Sequence, residues 1–302
     1  MADISVVIVS FNTKKVLTDC LLSLRKTKDV GIEVFVVDNA SSDGTVELLQ
    51  KEFPEVKLID LPDNKGFAAA NNIALRQVAT RYVVLLNPDT EVMPETFSIM
   101  MNYMGKYPRV GVSTCRVELA SGGLDKDCRR SFPTPWVAFT HFSGLSKLFP
   151  KSKLFGKYQM TYLPDTEIHE VESVVGAFMF IRREAMDEVG FLDETFFFYG
   201  EDIDWCYRFR EKGWLVTYNP YTRIIHYKGY SSGLKKHSKH LSTATIESKK
   251  KVTKARFDAM KIFYKKHYRH TYPSVVTSLV LLAVDVKRLA ALLSIMMEER
   301  KK

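Results

Sequence analysis

An α/β fold with a mainly parallel, doubly wound sheet is predicted from three observations. Runs of aliphatic and β-branched residues alternate with amphipathic segments through the first ~110 residues. Two of these runs end in acidic turns, Val36-Val37-Asp38-Asn39-Ala40-Ser41-Ser42-Asp43-Gly44-Thr45 and Leu85-Leu86-Asn87-Pro88-Asp89-Thr90. A third acidic turn, Phe198-Tyr199-Gly200-Glu201-Asp202-Ile203-Asp204-Trp205, follows about a hundred residues later. In open α/β sheets, ligands bind at the carboxyl ends of the strands, where the first two turns fall.

The elements follow in order. Ile4–Val9 reads as a buried strand, and Lys14–Lys26 as a helix with Val16, Leu17, Cys20, Leu21 and Leu24 on one face. Glu33–Val37 is a second strand, and Ser41 or Ser42 is placed to cap a helix starting near Thr45. Val56–Leu61 is a third strand. A turn over Asp63-Asn64-Lys65-Gly66 opens a helix across Ala68–Ala79, Tyr82–Leu86 is a fourth strand, and Pro94 starts a helix ending before Pro108. Ser121 to Pro135 reads as loop, and Lys147–Lys157 as a basic stretch of poor periodicity on the acceptor side. Val174–Ile181 is an apolar strand. A helix over Ile203–Lys212, closed by Gly213, precedes two short strands, Trp214–Tyr218 and Thr222–His226.

The net charge of +9 is unevenly placed. Gly233 to Lys302 holds 17 basic and 5 acidic residues, and the remainder 27 and 30. The expected organisation is a near-neutral domain over residues 1–232 and a basic helical extension over 233–302 that faces an anionic surface. Within the extension, Ile246–His270 reads as a basic helix, Tyr272-Pro273 as a break and Ser274–Met297 as a mostly apolar helix. Its longest uncharged run, Tyr272–Val284, is short of the ~20 residues a membrane span needs. Interfacial attachment to the membrane is therefore favoured, with packing on the body or in a homodimer as the alternative. Truncation near Gly233 is then expected to leave the body intact. Nucleic acid is not an expected partner. The four cysteines have no paired or zinc-like spacing, and the N-terminus has no basic leader, so a reducing, cytoplasmic location is expected, peripheral on the inner face of the plasma membrane.

Carboxylates at this sheet edge, without a Gly-rich phosphate loop, suit a divalent cation holding a diphosphate, and hence an enzyme acting on a nucleotide-activated group. Asp38 either caps the next helix or accepts a hydrogen bond from the N3–H of uracil or thymine. Phe11 either lies against the base or fills core. Pro88 ends its strand and presents Asp89 to the cleft as a metal ligand or a turn residue. His226 ends a strand and is a candidate contact to metal or phosphate. Of Glu201 and Asp202, one carboxylate is expected to cap the helix while the other acts as general base.

The ordered set Ser10-Phe11-Asn12, Val37 to Thr45, Asn64-Lys65-Gly66-Phe67-Ala68-Ala69-Ala70-Asn71, Leu86 to Thr90, Gly176-Ala177-Phe178-Met179, Gly200-Glu201-Asp202 and His226 resembles family 2 bacterial glycosyltransferases of GT-A fold, in the rhamnosyltransferase-like branch. That resemblance implies a donor-nucleotide site at Ser10, Phe11, Asn12, Asp38, Asn39, Gly66, Asn87 and Asp89. It also implies a sugar or acceptor pocket at Gly176, Ala177, Gly200 and Trp205, catalysis by Asp202 with Glu201, and Mg²⁺ or Mn²⁺ at Asp89 and His226. The implied reaction inverts the anomeric carbon of a dTDP- or UDP-linked sugar, with dTDP-L-rhamnose the first choice, and transfers it to a glycan or lipid-linked acceptor of cell-surface polysaccharide. Asn87-Pro88 stands where many members carry acidic residues. Two other classes were weighed. A sugar-1-phosphate nucleotidyltransferase needs a Gly-rich, Arg-containing loop that Ser10-Phe11-Asn12-Thr13 does not provide, and a non-catalytic anionic-membrane binder leaves the acidic turns unused.

Overall fold

The computed structural model describes residues 2–228 and 246–299. The strands are β1 (Ile4–Ser10), β2 (Ile32–Asp38), β3 (Lys57–Asp60), β4 (Tyr82–Leu86), β5 (Thr90–Val92), β6 (Val110–Leu119), β7 (Arg129–Arg130), β8 (His169–Glu170), β9 (Ser173–Val174), β10 (Phe178–Arg182) and β11 (Leu215–His226). The helices are α1 (Lys14–Leu24), α2 (Thr45–Glu52), α3 (Phe67–Leu75), α4 (Thr96–Lys106), α5 (Pro135–Phe142), α6 (Leu145–Leu148), α7 (Arg183–Val189), α8 (Glu201–Glu211), α9 (Ile246–His267) and α10 (Ser274–Glu299).

The main sheet has the order β3-β2-β1-β4-β10-β6-β11-β5, with β8 added on β11. β1, β2, β3, β4, β6 and β11 run in one direction, while β5, β8 and β10 oppose them. The chain leaves β1 toward β2 and β3, then returns on its other side as β4. This reversal opens a crevice beyond the carboxyl ends of β1 and β4, where Ser10 and Leu86 end their strands. β1 and β4 are buried along their whole length, as expected of strands covered on both faces. α3 packs on β1 and β2, α4 on β6 and β11, and α7 on β10.

Several elements differ from the sequence expectation. The apolar run Val174–Ile181 is broken: β9 pairs with β7 in a separate two-stranded ribbon, and β10 enters the main sheet antiparallel to β4. The two short strands expected after Gly213 form one strand, β11, irregular between Asn219 and Arg223. β6, at the centre of the second half-sheet, has no counterpart in the sequence reading. Neither Ser41 nor Ser42 caps α2, whose N-cap is Gly44 at φ 79°. Instead the Ser41 hydroxyl accepts from the Asn12 N–H, and Asp43 accepts from the Lys14 N–H at the start of α1. All four cysteines are buried and unpaired.

The expected boundary at 232/233 lies outside the described residues. α9 packs on α8 through Ala259, Phe263 and Tyr264, with Tyr268 just beyond its end, covering Phe196 and Ile203. Asp204, fully buried on α8, accepts from Arg208 (2.9 Å), Lys266 (2.8 Å) and His267 (2.7 Å). α10 is tied to α9 by Lys261–Asp285 and Arg288–Asp258. An intact body after truncation is therefore not the outcome this packing favours. A chain ending at residue 245 should melt well below the full chain in thermal denaturation. Phe263→Ala should cost about 3–5 kcal/mol in urea unfolding, and Asp204→Ala a similar ~3–5 kcal/mol, because three donors lose their buried anion. Wild-type stability in all three would remove α9 from the folded core.

Candidate active site

The carboxyl ends of β1, β2 and β4 gather the donor-side residues. Asp38 ends β2 opposite Ser10. Its Oδ2 accepts from the Ser41 N–H at 2.7 Å, so the side chain folds an Asx turn. Its Oδ1 is buried without a partner, and burial pushes the carboxyl above its usual range. An unsatisfied buried acceptor is costly, and an N–H donor of a ligand would satisfy it. Asn12 (φ 53°) and Ala40 (φ 66°) hold left-handed backbone beside it. Such conformations persist where surrounding contacts over-determine them, and here the Asn12 side chain accepts from the Ser42 N–H while Ser41 accepts from Asn12. Ser10 bonds the Thr13 hydroxyl. Phe11 is 43% exposed, so it does not fill core.

Asn39 clamps the next loop: its amide donates toward Asn64 and the Gly66 carbonyl, and its Oδ1 accepts from the Lys65 N–H. Gly66 sits at φ +86°, and a Cβ there would stand 2.5 Å from the Phe197 carbonyl. The glycine thus permits the 63–66 turn to touch the segment leading into α8, where the Phe67 N–H meets that same carbonyl.

Beyond Pro88, β5 turns back antiparallel to β11, with Thr90 in register with His226. This brings Asp89 Oδ1 to 3.3 Å from His226 Nε2, both residues buried. On its other side, His226 Nδ1 stands 3.6 Å from Asp125 Oδ2. Lys228 Nζ then bridges Asp125 (2.6 Å) and Asp127 (2.5 Å). Burial alone would lower the imidazole pKa, but the Asp89 and Asp125 charges outweigh it and push it up to about 9. Asp89 falls below its usual range: burial opposes ionisation, and His226 more than compensates. No group of three or more His, Cys, Asp or Glu forms a ready-made metal cage among the described residues. For His226 to join Asp89 in holding a cation completed by diphosphate oxygens and water, its imidazolium would have to release a proton as the metal binds. Neighbouring ligands of an octahedral ion at about 2.0–2.1 Å stand roughly 3 Å apart.

The third acidic turn lies at the break between β9 and β10. Asp202 Oδ2 accepts from buried Arg130 at 2.7 Å and from the Gly176 N–H at 3.1 Å. Its Oδ1 accepts from the Ile203 N–H. The Ala177 carbonyl accepts from the Asn87 N–H at 3.1 Å, so Gly176-Ala177 joins the Asp202 side of the cleft to the Asn-Pro-Asp turn. Glu201 is also buried, and its Oε2 has no partner. Burial first, then the Asp202 charge, raises the Glu201 carboxyl to about 8. Arg130 and the Gly176 N–H both donate to Asp202, whereas Glu201 Oε2 meets no donor. Gly200 (φ +88°) caps α8, and its bare Cα lets the Phe196 ring and Ala259 of α9 approach. Trp205 lies apart from this cleft, fully buried with its indole donating to the Gly190 carbonyl. It anchors α8.

The site thus includes Arg130, Asp125, Asp127 and Lys228, none of which was singled out from sequence. Arg129-Arg130 and Asp125-Lys126-Asp127 fall in the stretch read as loop, and nothing in that order of residues points to His226 or Asp202.

Comparison with known proteins bears on the family and the fold. Residues 5–190 match the family described as glycosyl transferase family 2. An N-acetylglucosaminyl-diphospho-decaprenol L-rhamnosyltransferase of Mycobacterium tuberculosis is 26% identical over 239 residues, covering 76% of this chain and 77% of the relative. A low-salt glycan biosynthesis hexosyltransferase of Haloferax volcanii is 26% identical over 220 residues, 70% of this chain and 62% of the relative. In structure, the mannosyltransferase PcManGT from Pyrobaculum calidifontis, solved with GDP-Man and Mn²⁺, superposes with TM-score 0.57 at 16% identity, over 98% of this chain and 73% of its own. Staphylococcus aureus TarS 1-349 with UDP gives TM-score 0.54 at 15% identity, over 99% and 91%. These likenesses establish the GT-A fold. From its fold and the match across most of the transferase body, the chain belongs to glycosyl transferase family 2, the nucleotide-sugar-dependent glycosyltransferases.

Proposed function

We propose that the enzyme transfers a deoxyhexose, L-rhamnose from dTDP-L-rhamnose, to a hydroxyl of a lipid-linked precursor of cell-surface polysaccharide, with inversion at the anomeric carbon. The observation that carries the chemistry is Asp202, oriented by Arg130 and the Gly176 N–H beside the segment that meets the Asn-Pro-Asp turn. The choice of sugar and acceptor is supported by the name of the Mycobacterium relative. Asp38, with its unpartnered Oδ1, is the group to receive the pyrimidine N3–H. Asp38 serves thymine and uracil alike, so a UDP-sugar is the competing donor. We take 1–232 as the transferase body and 233–302 as its helical extension, on the cytoplasmic face of the plasma membrane. In support, no helix among the described residues is long and apolar enough to cross a membrane. Yet α10 exposes Val275, Leu279, Leu282, Val286, Leu289 and Leu293 at alternating three- and four-residue spacing.

In this reading Asp202 removes the acceptor hydroxyl proton as that oxygen bonds to the anomeric carbon. The bond from that carbon to the diphosphate oxygen breaks, and its electron pair leaves with the nucleoside diphosphate. No enzyme nucleophile is required. Asp89 and His226 would hold Mg²⁺ or Mn²⁺, which when bound supplies positive charge to the leaving diphosphate. Arg130 orients Asp202, and Glu201, its carboxyl raised to about 8, adds no competing charge at pH 7.

Incubation with a panel of nucleotide sugars tests the reading: nucleoside diphosphate release should be greatest with dTDP-L-rhamnose and a polyprenyl-diphosphate-linked glycan. Preference for a purine-linked donor would overturn the Asp38 assignment.

Asp202→Asn should lower turnover about 10²-fold or more while donor affinity changes only a few-fold. Glu201→Gln, which copies the neutral acid, should keep turnover at pH 7 within a few-fold. Because the folded state holds the Glu201 proton up to about pH 8, this group makes wild-type stability fall as pH rises from about 4.5 to about 8. Glu201→Gln should lack that contribution when urea unfolding of the two proteins is compared across the range. Wild-type turnover in Asp202→Asn removes the base.

Asp89→Ala should weaken donor binding in Mn²⁺ or Mg²⁺ yet change little in EDTA, with His226→Ala acting in the same direction more mildly. Calorimetry with the nucleoside diphosphate gives this readout without turnover. Equal affinity for wild type and Asp89→Ala at saturating metal refutes the metal role.

A further inference from the structure

The excursion between β7 and β8 is not used by the reaction. No Asp or Glu occurs between Asp127 and Asp165, whereas Lys147, Lys151, Lys153 and Lys157 do. Trp136, Phe139, Phe142, Leu148, Phe149 and Leu154 are all exposed, Leu148 by 72%. Four aromatics join in one patch: Trp136 contacts Phe139 (5.8 Å) and Phe155 (6.2 Å), and Phe155 contacts Phe149 (5.4 Å). Lys147, Lys151 and Lys153 are exposed around it. Monomers rarely expose a contiguous aromatic surface of this kind without a partner.

The patch does not stand alone. Lys287 of α10 lies 4.7 Å from the centre of the Phe142 ring, so α10 and the aromatics of α5 meet at one edge. The excursion is also fastened to the catalytic centre. The Ser131 N–H donates to the Tyr158 carbonyl, holding the returning chain beside Arg130, whose guanidinium binds Asp202.

We propose that the α5–α6 excursion is a docking face for an anionic lipid bilayer, continuous with α10, which sets the Asp202 cleft at the membrane surface. This rests on the reading that the acceptor is lipid-linked. Charge selects the occupant. A second copy would bring Lys147, Lys151, Lys153 and Lys287 against themselves, whereas an anionic leaflet complements them. Trp and Phe with flanking Lys form the composition that settles at the headgroup level.

The test uses the full chain with vesicles of phosphatidylcholine, with and without phosphatidylglycerol. Binding should require phosphatidylglycerol and weaken with salt. Trp136 emission should shift blue and be quenched by brominated lipid, a signal absent in Trp136→Phe. Phe139→Ser with Phe149→Ser, and Lys147→Glu with Lys151→Glu and Lys153→Glu, should each weaken vesicle binding at least tenfold while nucleoside diphosphate release with a water-soluble acceptor is retained. If those variants bind as wild type while Leu282→Glu with Leu289→Glu abolishes binding, α10 docks alone and the proposal fails, although the lipid-linked reading stands. Self-association without lipid that disappears in the Phe139/Phe149 variant assigns the patch to a second copy and overturns it. Absence of wild-type binding to any vesicle also overturns it. Transfer to a detergent-solubilised lipid-linked acceptor then decides the acceptor reading separately.

Discussion

Arg130 and Asp202 form an ion pair that water hardly reaches, and the cleft is organised around it. Removing one partner of a buried pair strands the other, at a cost of about 3–5 kcal/mol. Arg130 is positioned by the β7–β9 ribbon and also donates to the Val174 carbonyl. The next residues after β9 supply the Gly176 N–H to the same Asp202 oxygen and the Ala177 carbonyl to Asn87. One break in an apolar run therefore spans from Asp202 to the turn that carries Asp89.

The same helix couples the cleft to the C-terminal region. Asp202 faces the ribbon, and two residues later Asp204 faces α9, where Arg208, Lys266 and His267 surround it. Phe132, next to the ribbon, packs tilted against Tyr207 and lies near Phe263. Through α8, α9 thus supports the position of Asp202.

On the donor side the charges alternate: Asp89, His226, Asp125, Lys228, Asp127. Every ion in this chain has an opposite neighbour, which makes burial of so many charges tolerable. Asp38 and Glu201 stand outside this row of charges, each with one buried oxygen lacking a hydrogen-bond partner. Glu201 answers by staying protonated, and Asp38 retains an acceptor directed at no protein donor.

The half-sheet from β1 to β4 was legible because its signals are local. Continuous apolar runs mark doubly covered strands, and Asp-Asn, Asn-Pro-Asp and Gly-Glu-Asp mark where they or the following helix turn. Asp38, Asp89, Asp202 and His226 could therefore be placed at strand or helix ends from residue order alone. Tertiary structure alone decided that Val174–Ile181 divides, that β11 is continuous, that β6 lies between β10 and β11, and that Trp205 belongs to the core. Antiparallel insertion and β-pairing are contacts between distant segments, and side-chain period does not encode them. Arg130 and Asp125 were hidden for the same reason. Their meaning lies in the Asp202 and His226 they meet, 72 and about 100 residues away, and only the folded chain brings those charges within reach.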